Sequence, residues 1–214
     1  SNGISRSERF FHQLQSAVKS AGLQEQIPSA GIEIVSGGSC SLTVLSPSRS
    51  QGARSNLFTT VSSGTDLNNQ SLVTRFECGE HSFLLTADAE REALDGLLHT
   101  PNSLSARVVK VPHHGARSSL NPEWVSRLQA EVMVISVGIH NRYGHPAQEV
   151  LDAYQRRGLP LYRTDRDGAV WFTAALGSHD MTITTAKQKS LLTVQPGPHM
   201  LIEEIANWKR IWNW

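Results

Sequence analysis

Cysteine is scarce: Cys40 and Cys78 are the two in a chain of 214 residues. Two cysteines cannot build a disulfide framework or a four-cysteine zinc site. The sequence reads them as two small buried thiols rather than as a bonded pair. Long apolar runs are missing too. No stretch approaches the roughly 18–20 apolar residues of a membrane-spanning helix, and the opening SNGISRSERF has no apolar signal core. The sequence as it stands reads as a soluble chain. An excess of one charge is also absent, since 20 Lys and Arg stand against 19 Asp and Glu, for a net +1. That excludes the basic footprint of non-specific nucleic-acid binding, so any such role must rest on local geometry. There is no Gly-rich phosphate loop, no Ser-His-Asp signature and no CxxC pair.

What the chain does have is an ordinary globular composition, 39% hydrophobic and 18% charged, which excludes disorder of the whole. Its length suits one generous domain or two very small ones. One count is unusual, at nine histidines.

Periodicity predicts an amphipathic helix over 7–21, with Phe10, Phe11, Leu14 and Val18 on one face and Gly22 as its stop. Short strands follow at Ile32–Val35 and Leu42–Leu45. Residues 46–70 are rich in Ser, Gly, Asn and Thr and read as a surface or active-site loop. Ser71–Cys78 and His81–Thr86 read as a hairpin turning at Gly79–Glu80. Then come a helix over Ala89–His99, a strand over Ala106–Val111, a helix over Asn121–Ala130 with Pro122 first, and a strand over Val132–Val137. A helix over Pro146–Arg157 ends at Gly158. Leu161–Thr164 and Ala169–Thr173 read as a second hairpin around Asp167–Gly168. Met181–Thr185 reads as one more strand, and the end MLIEEIANWKRIWNW as a Trp-rich amphipathic helix. The alternation of strand and helix implies an α/β layered domain over 1–175, with 176–214 adding a strand and a helix.

In such sheets reactive groups gather beyond the carboxyl ends of the strands. Three successive strand ends carry unusual residues: Asp88 after FLLT, His113 and His114 after ARVVKV, and His140, Asn141, Arg142 and His145 after VMVISV. A carboxylate with several imidazoles suits Zn²⁺ or Mn²⁺, which activates water near neutral pH. Arg142 and Asn141 beside it suggest a phosphoester, because Arg grips phosphate oxygens in pairs and Asn donates to them. Each residue also has a plainer reading. Asp88 caps the helix after it, the His-His-Gly turn is merely polar, His145 starts a helix, and Arg142 pairs with a surface carboxylate. Ser118 is open between a substrate oxygen and a helix cap; Ser119 reads as the cap. His12, His81, His99, His179 and His199 read as surface or structural.

Four segments in order, NNQSLVTRFECGEHSFLLTAD, VVKVPHHGARSS, VISVGIHNRYGHPAQEVLDAY and LYRTDRDGAV, resemble the second half of a metallo-β-lactamase-fold domain. The best match is the domain at the C-terminus of ComEC-type competence proteins, the inner-membrane DNA-uptake channel family. The resemblance is strong over 68–173, looser over 7–47 and negligible after about 180. It implies an αββα layered fold, incomplete at its N-terminus, in a soluble domain of a bacterial inner-membrane protein on the periplasmic side. It implies one or two Zn or Mn ions, no small organic cofactor, and a DNA single strand or another phosphoester as partner, together with the rest of a membrane channel. Asp88 matches the ligand able to bridge two metals, with Ala87 in place of the usual glycine. One ring of the His113–His114 pair matches a ligand, with His113 favoured as nearest the strand end. His145 matches a substrate contact or proton donor, and Asn69 borders the pocket. The HxHxDH motif of such hydrolases is not in the sequence. The chain is therefore expected to be part of a hydrolase domain, nuclease-like in the full protein, with weak metal binding and little activity by itself. A non-catalytic DNA-binding module and a soluble hydrolase of lactones or thioesters are the alternatives.

Overall fold

Side-chain alternation sets the framework. In the computed structural model, which describes residues 12–13, 16–23, 28–47, 64–100 and 104–189, seven strands form one sheet in the order β1 to β7. They are β1 (Glu33–Gly37), β2 (Cys40–Ser46), β3 (Val73–Cys78), β4 (His81–Leu85), β5 (Val108–Lys110), β6 (Val132–Ile135) and β7 (Leu161–Arg163). The strands from β1 to β4 pair antiparallel; from β4 onwards β5, β6 and β7 pair parallel. The helices between them are α1 (Gly64–Asn69), α2 (Arg91–Leu98), α3 (Pro122–Arg127) and α4 (Gln148–Gln155). The mixed α/β class is as the alternation implied.

One face of the sheet is covered by helices. Leu84 and Met133 from the strands meet Leu94 and Leu97 of α2, Trp124 of α3 and Tyr154 of α4 in a single core, all at or below 1% exposure. A parallel strand between helices must be nearly continuous in apolar residues, and Val108–Val109 and Val132–Met133 supply this. The other face shows the residues one step along. Phe83 packs on Phe76 at 6.0 Å and edge-on against Phe172 at 5.6 Å. Phe172 belongs to a separate two-stranded sheet, β8 (Val170–Ala174) paired antiparallel with β9 (Met181–Thr185).

Several expectations need correction. The second hairpin does not form: β7 pairs with β6, and a helical turn, α5 (Thr164–Asp167), separates it from β8. The local polar groups decide this. The Asp167 carboxylate accepts the Arg163 N–H at 2.8 Å, and the Thr164 hydroxyl bonds the backbone N–H and C=O of Val137 at 2.7 and 2.8 Å. They curl the chain instead of making a two-residue turn. The cysteines are bonded to each other, because Cys40 and Cys78 face one another directly in the β2–β3 register. Part of the 46–70 loop is helical, as α1, while 48–63 lies outside the described residues. Helix α3 stops at Arg127, and its cap is Asn121, which accepts the Trp124 N–H at 3.1 Å; Ser119 instead bonds the carbonyls of Pro112 and Ala116. Of the helix expected over 7–21, residues 12–13 and 16–20 are helical; the Trp-rich end lies outside the described residues. Among the described residues no helix is long and apolar enough to cross a membrane.

Candidate functional site

Because β4, β5 and β6 run parallel, their carboxyl ends open onto the same edge of the sheet. The turns there are tied together by backbone. The His113 N–H donates to the Ala87 carbonyl at 3.1 Å, and the Ala147 N–H to the Gly115 carbonyl at 2.9 Å. Lys110, a lone charge in an apolar strand, donates its Nζ to the Ala87 carbonyl at 2.8 Å. Burial pushes its ammonium below the ordinary lysine range, partly opposed by Asp88.

The turns are strained where they present their polar side chains. Ala87, His113 and His114 have φ of 47°, 45° and 54°, the left-handed region that costs an ordinary side chain about 1–2 kcal/mol each. Gly115 follows at φ 78°, and a Cβ there would sit 2.6 Å from Pro146 Cβ. Only glycine lets the His-His-Gly turn lie this close to the loop bearing His145.

Both histidines of the pair use Nδ1 inwards. His114 Nδ1 donates to the Ser136 carbonyl at 2.6 Å, which places the lone pair of a neutral ring on Nε2, 3.4 Å from Asp88 Oδ1. His113 Nδ1 lies 3.2 Å from Glu90 Oε1 and 3.4 Å from the Ser118 hydroxyl. Glu90 is 5% exposed, and its Oε1 also accepts from Asn68 Nδ2 at 2.9 Å. His145 lies edge-on to His113, with ring centroids 5.7 Å apart. Burial first, and then the neighbouring His113 and His114, push the His145 imidazole below its ordinary value, with Asp88 opposing.

Asp88, His113, His114 and His145 are thus brought to one place, with Ser118 beside them. Asp88 is not a helix cap: α2 begins at Arg91 after Glu90, and its first turn is held by Asn69, whose Oδ1 accepts the Ala93 N–H at 3.2 Å. Asn69 also reaches Glu92 at 3.4 Å, on the wall of a cleft of about 430 Å³ lined by Glu90, Arg91, Arg117 and Ser118. Asn141 turns inwards on its own loop, accepting the His145 N–H at 2.9 Å and donating to the carbonyls of His145 and Gly138 at 2.6 and 3.2 Å. Arg142 lies on the rim with its guanidinium carbon 5.6 Å from the centre of the Tyr143 ring. No carboxylate pairs with it among the described residues.

Sequence reading missed Glu90, Lys110, Asn68 and Tyr143. Lys110 was visible as a charge inside ARVVKV; Glu90 at the head of a helix looks like any other acidic first-turn residue. Among the described residues no three His, Cys, Asp or Glu side chains converge as a metal site. Asp88 and His114 form a pair, one oxygen and one nitrogen donor of the kind Zn²⁺ or Mn²⁺ accepts, two short of a tetrahedral set.

No protein-family model matches the chain. It is 39% identical over 105 residues to ComE operon protein 3 of Bacillus subtilis strain 168, covering 49% of this chain and 14% of that protein. It is 30% identical over 113 residues to Competence protein ComA of Neisseria gonorrhoeae, covering 52% and 16%. It is 29% identical over 103 residues to Recombination protein 2 of Haemophilus influenzae, covering 48% and 13%. The chain spans about one seventh of the length of these relatives. By these matches it is similar, over about half its length, to proteins named for competence and recombination.

Proposed function

We propose that this chain is part of a metal-dependent phosphodiesterase domain of the metallo-β-lactamase type, which handles a DNA strand in a competence system. The carrying observation is the orientation of His114. Its Nδ1 is spent on a backbone carbonyl, so Nε2 is the free donor and it faces Asp88. A metal-ligating histidine is normally fixed from behind in this way. His113, which the strand end favours, is fixed from behind by Glu90 in the same way, but it is His114 whose outer nitrogen faces Asp88, and that makes His114 the better-placed ligand.

Asp88 and His114 would supply two of the ligands of a divalent ion, which would stabilise charge on a phosphoester as a Lewis acid. The chain's own residues then divide the work. Glu90 keeps the His113 ring turned so that its outer nitrogen faces the substrate. His145 holds an N–H towards the leaving oxygen, and Asn141 positions it through the two bonds to its backbone. Arg142 meets phosphate oxygens from the rim. Competence-named relatives point to a membrane-associated DNA-uptake system, and the disulfide suits an oxidising compartment such as the periplasm.

Zn²⁺ and Mn²⁺ titrations followed by calorimetry, with cleavage of single-stranded DNA, test this. Asp88→Asn and His114→Ala should each weaken metal binding 10-fold or more. His145→Ala should leave metal affinity within about 2-fold and reduce only cleavage or strand affinity, by roughly 10²-fold in rate. Metal binding indifferent to both Asp88 and His114 ends the reading.

A further inference from the structure

We propose that His81 and Arg107 form a pH-sensitive clasp, which holds the turn between β8 and β9 on the sheet while the imidazole is neutral and releases it when the ring takes up a proton. The clasp stands apart from the phosphodiesterase reading, since it lies at the amino ends of β4, β5 and β6, across the sheet from Asp88.

Arg107, just ahead of β5, joins several segments at once. Its backbone N–H donates to the Ser82 hydroxyl of β4 at 3.0 Å. Its Nε and Nη2 donate to the two carboxylate oxygens of Glu131, just ahead of β6, each at 2.9 Å. Its Nη1 donates to the His179 carbonyl, just ahead of β9, at 2.7 Å, and lies 2.9 Å from His81 Nδ1. The β8–β9 turn also rests on the β3–β4 turn, where a Cβ on Gly79 would lie 3.7 Å from Leu176 Cδ2.

A guanidinium only donates, so His81 Nδ1 must accept and the single ring proton sits on Nε2. His81 is 5% exposed, and its Nε2 finds no hydrogen-bond partner among the described residues. One nitrogen therefore holds the ring in place while the other stays unmatched. A proton on Nδ1 would set donor against donor and a buried cation against the guanidinium. Proton and clasp exclude each other, so acid favours the released turn. The other charged groups facing the pair are Glu131, Glu80 from the β3–β4 turn and His179. Glu131 is occupied by Arg107, whose hydrogen bond holds its carboxyl below the usual range. Glu80 lies 3.9 Å from His179 Nδ1; acid strengthens that contact, but both side chains are exposed and solvent screens it.

The test follows the whole chain by ¹⁵N NMR and amide hydrogen exchange from about pH 7.5 to about pH 5.5, the window in which an imidazole changes charge. At the upper end His81 should carry its proton on Nε2 alone. Towards the lower end, protection of the β9 amides should fall about 10-fold or more, while the β6 amides keep theirs within about 2-fold. His81→Asn retains an acceptor near Nδ1 that takes up no proton in this window, and should make β9 protection independent of pH. A parent chain whose β9 protection is flat with pH overturns the clasp. So does a His81→Asn variant that responds as the parent does, or a loss shared equally by β6, which is general unfolding. The tautomer is read on the parent alone, so the test survives a variant that fails to fold: a proton found on Nδ1 at the upper end overturns the clasp as well.

Discussion

Ala87 sits at φ 47° between the last strand residue of β4 and Asp88, where the turn must be left-handed for Lys110 and the His113 N–H to reach its carbonyl. A methyl group there costs about 1–2 kcal/mol, and glycine gives back part of that through its freer unfolded chain. Ala87→Gly should therefore stabilise the domain by roughly 0.5–1 kcal/mol, raising Tm by a few degrees in a thermal melt. A lower Tm would mean that the turn is held by something other than its backbone. At this scale much of the site was readable. Asp88, the His pair and His145 stand out as polar residues just past apolar strands. Glu90 did not, because its meaning lies in burial: a carboxylate 5% exposed needs partners, and sequence shows neither its burial nor Asn68 and His113 closing on it.

Among the elements, strand and helix positions followed from apolar runs and Gly or Pro punctuation, and the β3–β4 hairpin turned at Gly79–Glu80 as expected. The misread element was the one where side chains override a good turn dipeptide. Asp167–Gly168 invites a hairpin, yet the chain turns after Arg163 into α5, with Thr164 and Asp165 in its first turn. The Arg163 guanidinium holds Asp165 at 2.7 and 3.1 Å, with both side chains largely buried. That bond first, and the nearby charge of Arg163, hold the Asp165 carboxyl below its ordinary value. The folded state thus binds the proton less readily than the unfolded one. The stability from this pair is fully present above the ordinary carboxylate pKa of about 4 and is lost as pH falls through the lower folded value. Asp165→Asn should cost roughly 1–3 kcal/mol in urea unfolding at pH 7, the range for charge-assisted bonds. The gap between parent and variant should shrink towards pH 2–3. A gap unchanged at acid pH would show that shape, not charge, sets the turn.

For the molecule as a whole, the two halves of the sheet are secured differently. The parallel half rests on the core under α2, α3 and α4. The antiparallel half is crossed by the Cys40–Cys78 bond over a sequence separation of 38. Closing a loop of that size removes unfolded-chain entropy worth roughly 3–4 kcal/mol in the loop-closure account. Cys78→Ser, or reduction, should lower stability by up to that amount, and a melt with and without reductant reads it. No change would place the thiols in the reduced form expected from their low number. Sequence alone could not settle the pairing, since two cysteines bond only when the fold brings them close, and here that depends on the β2–β3 register.

The bond and the candidate site lie at opposite ends of β4, with Cys78 just before His81 and Asp88 just past Leu85. Once reduced, Cys40 and Cys78 therefore become a pair of labelling handles across one strand-length from the site. A dye attached there can report on opening of the antiparallel half while leaving the Asp88 and His114 edge chemically untouched.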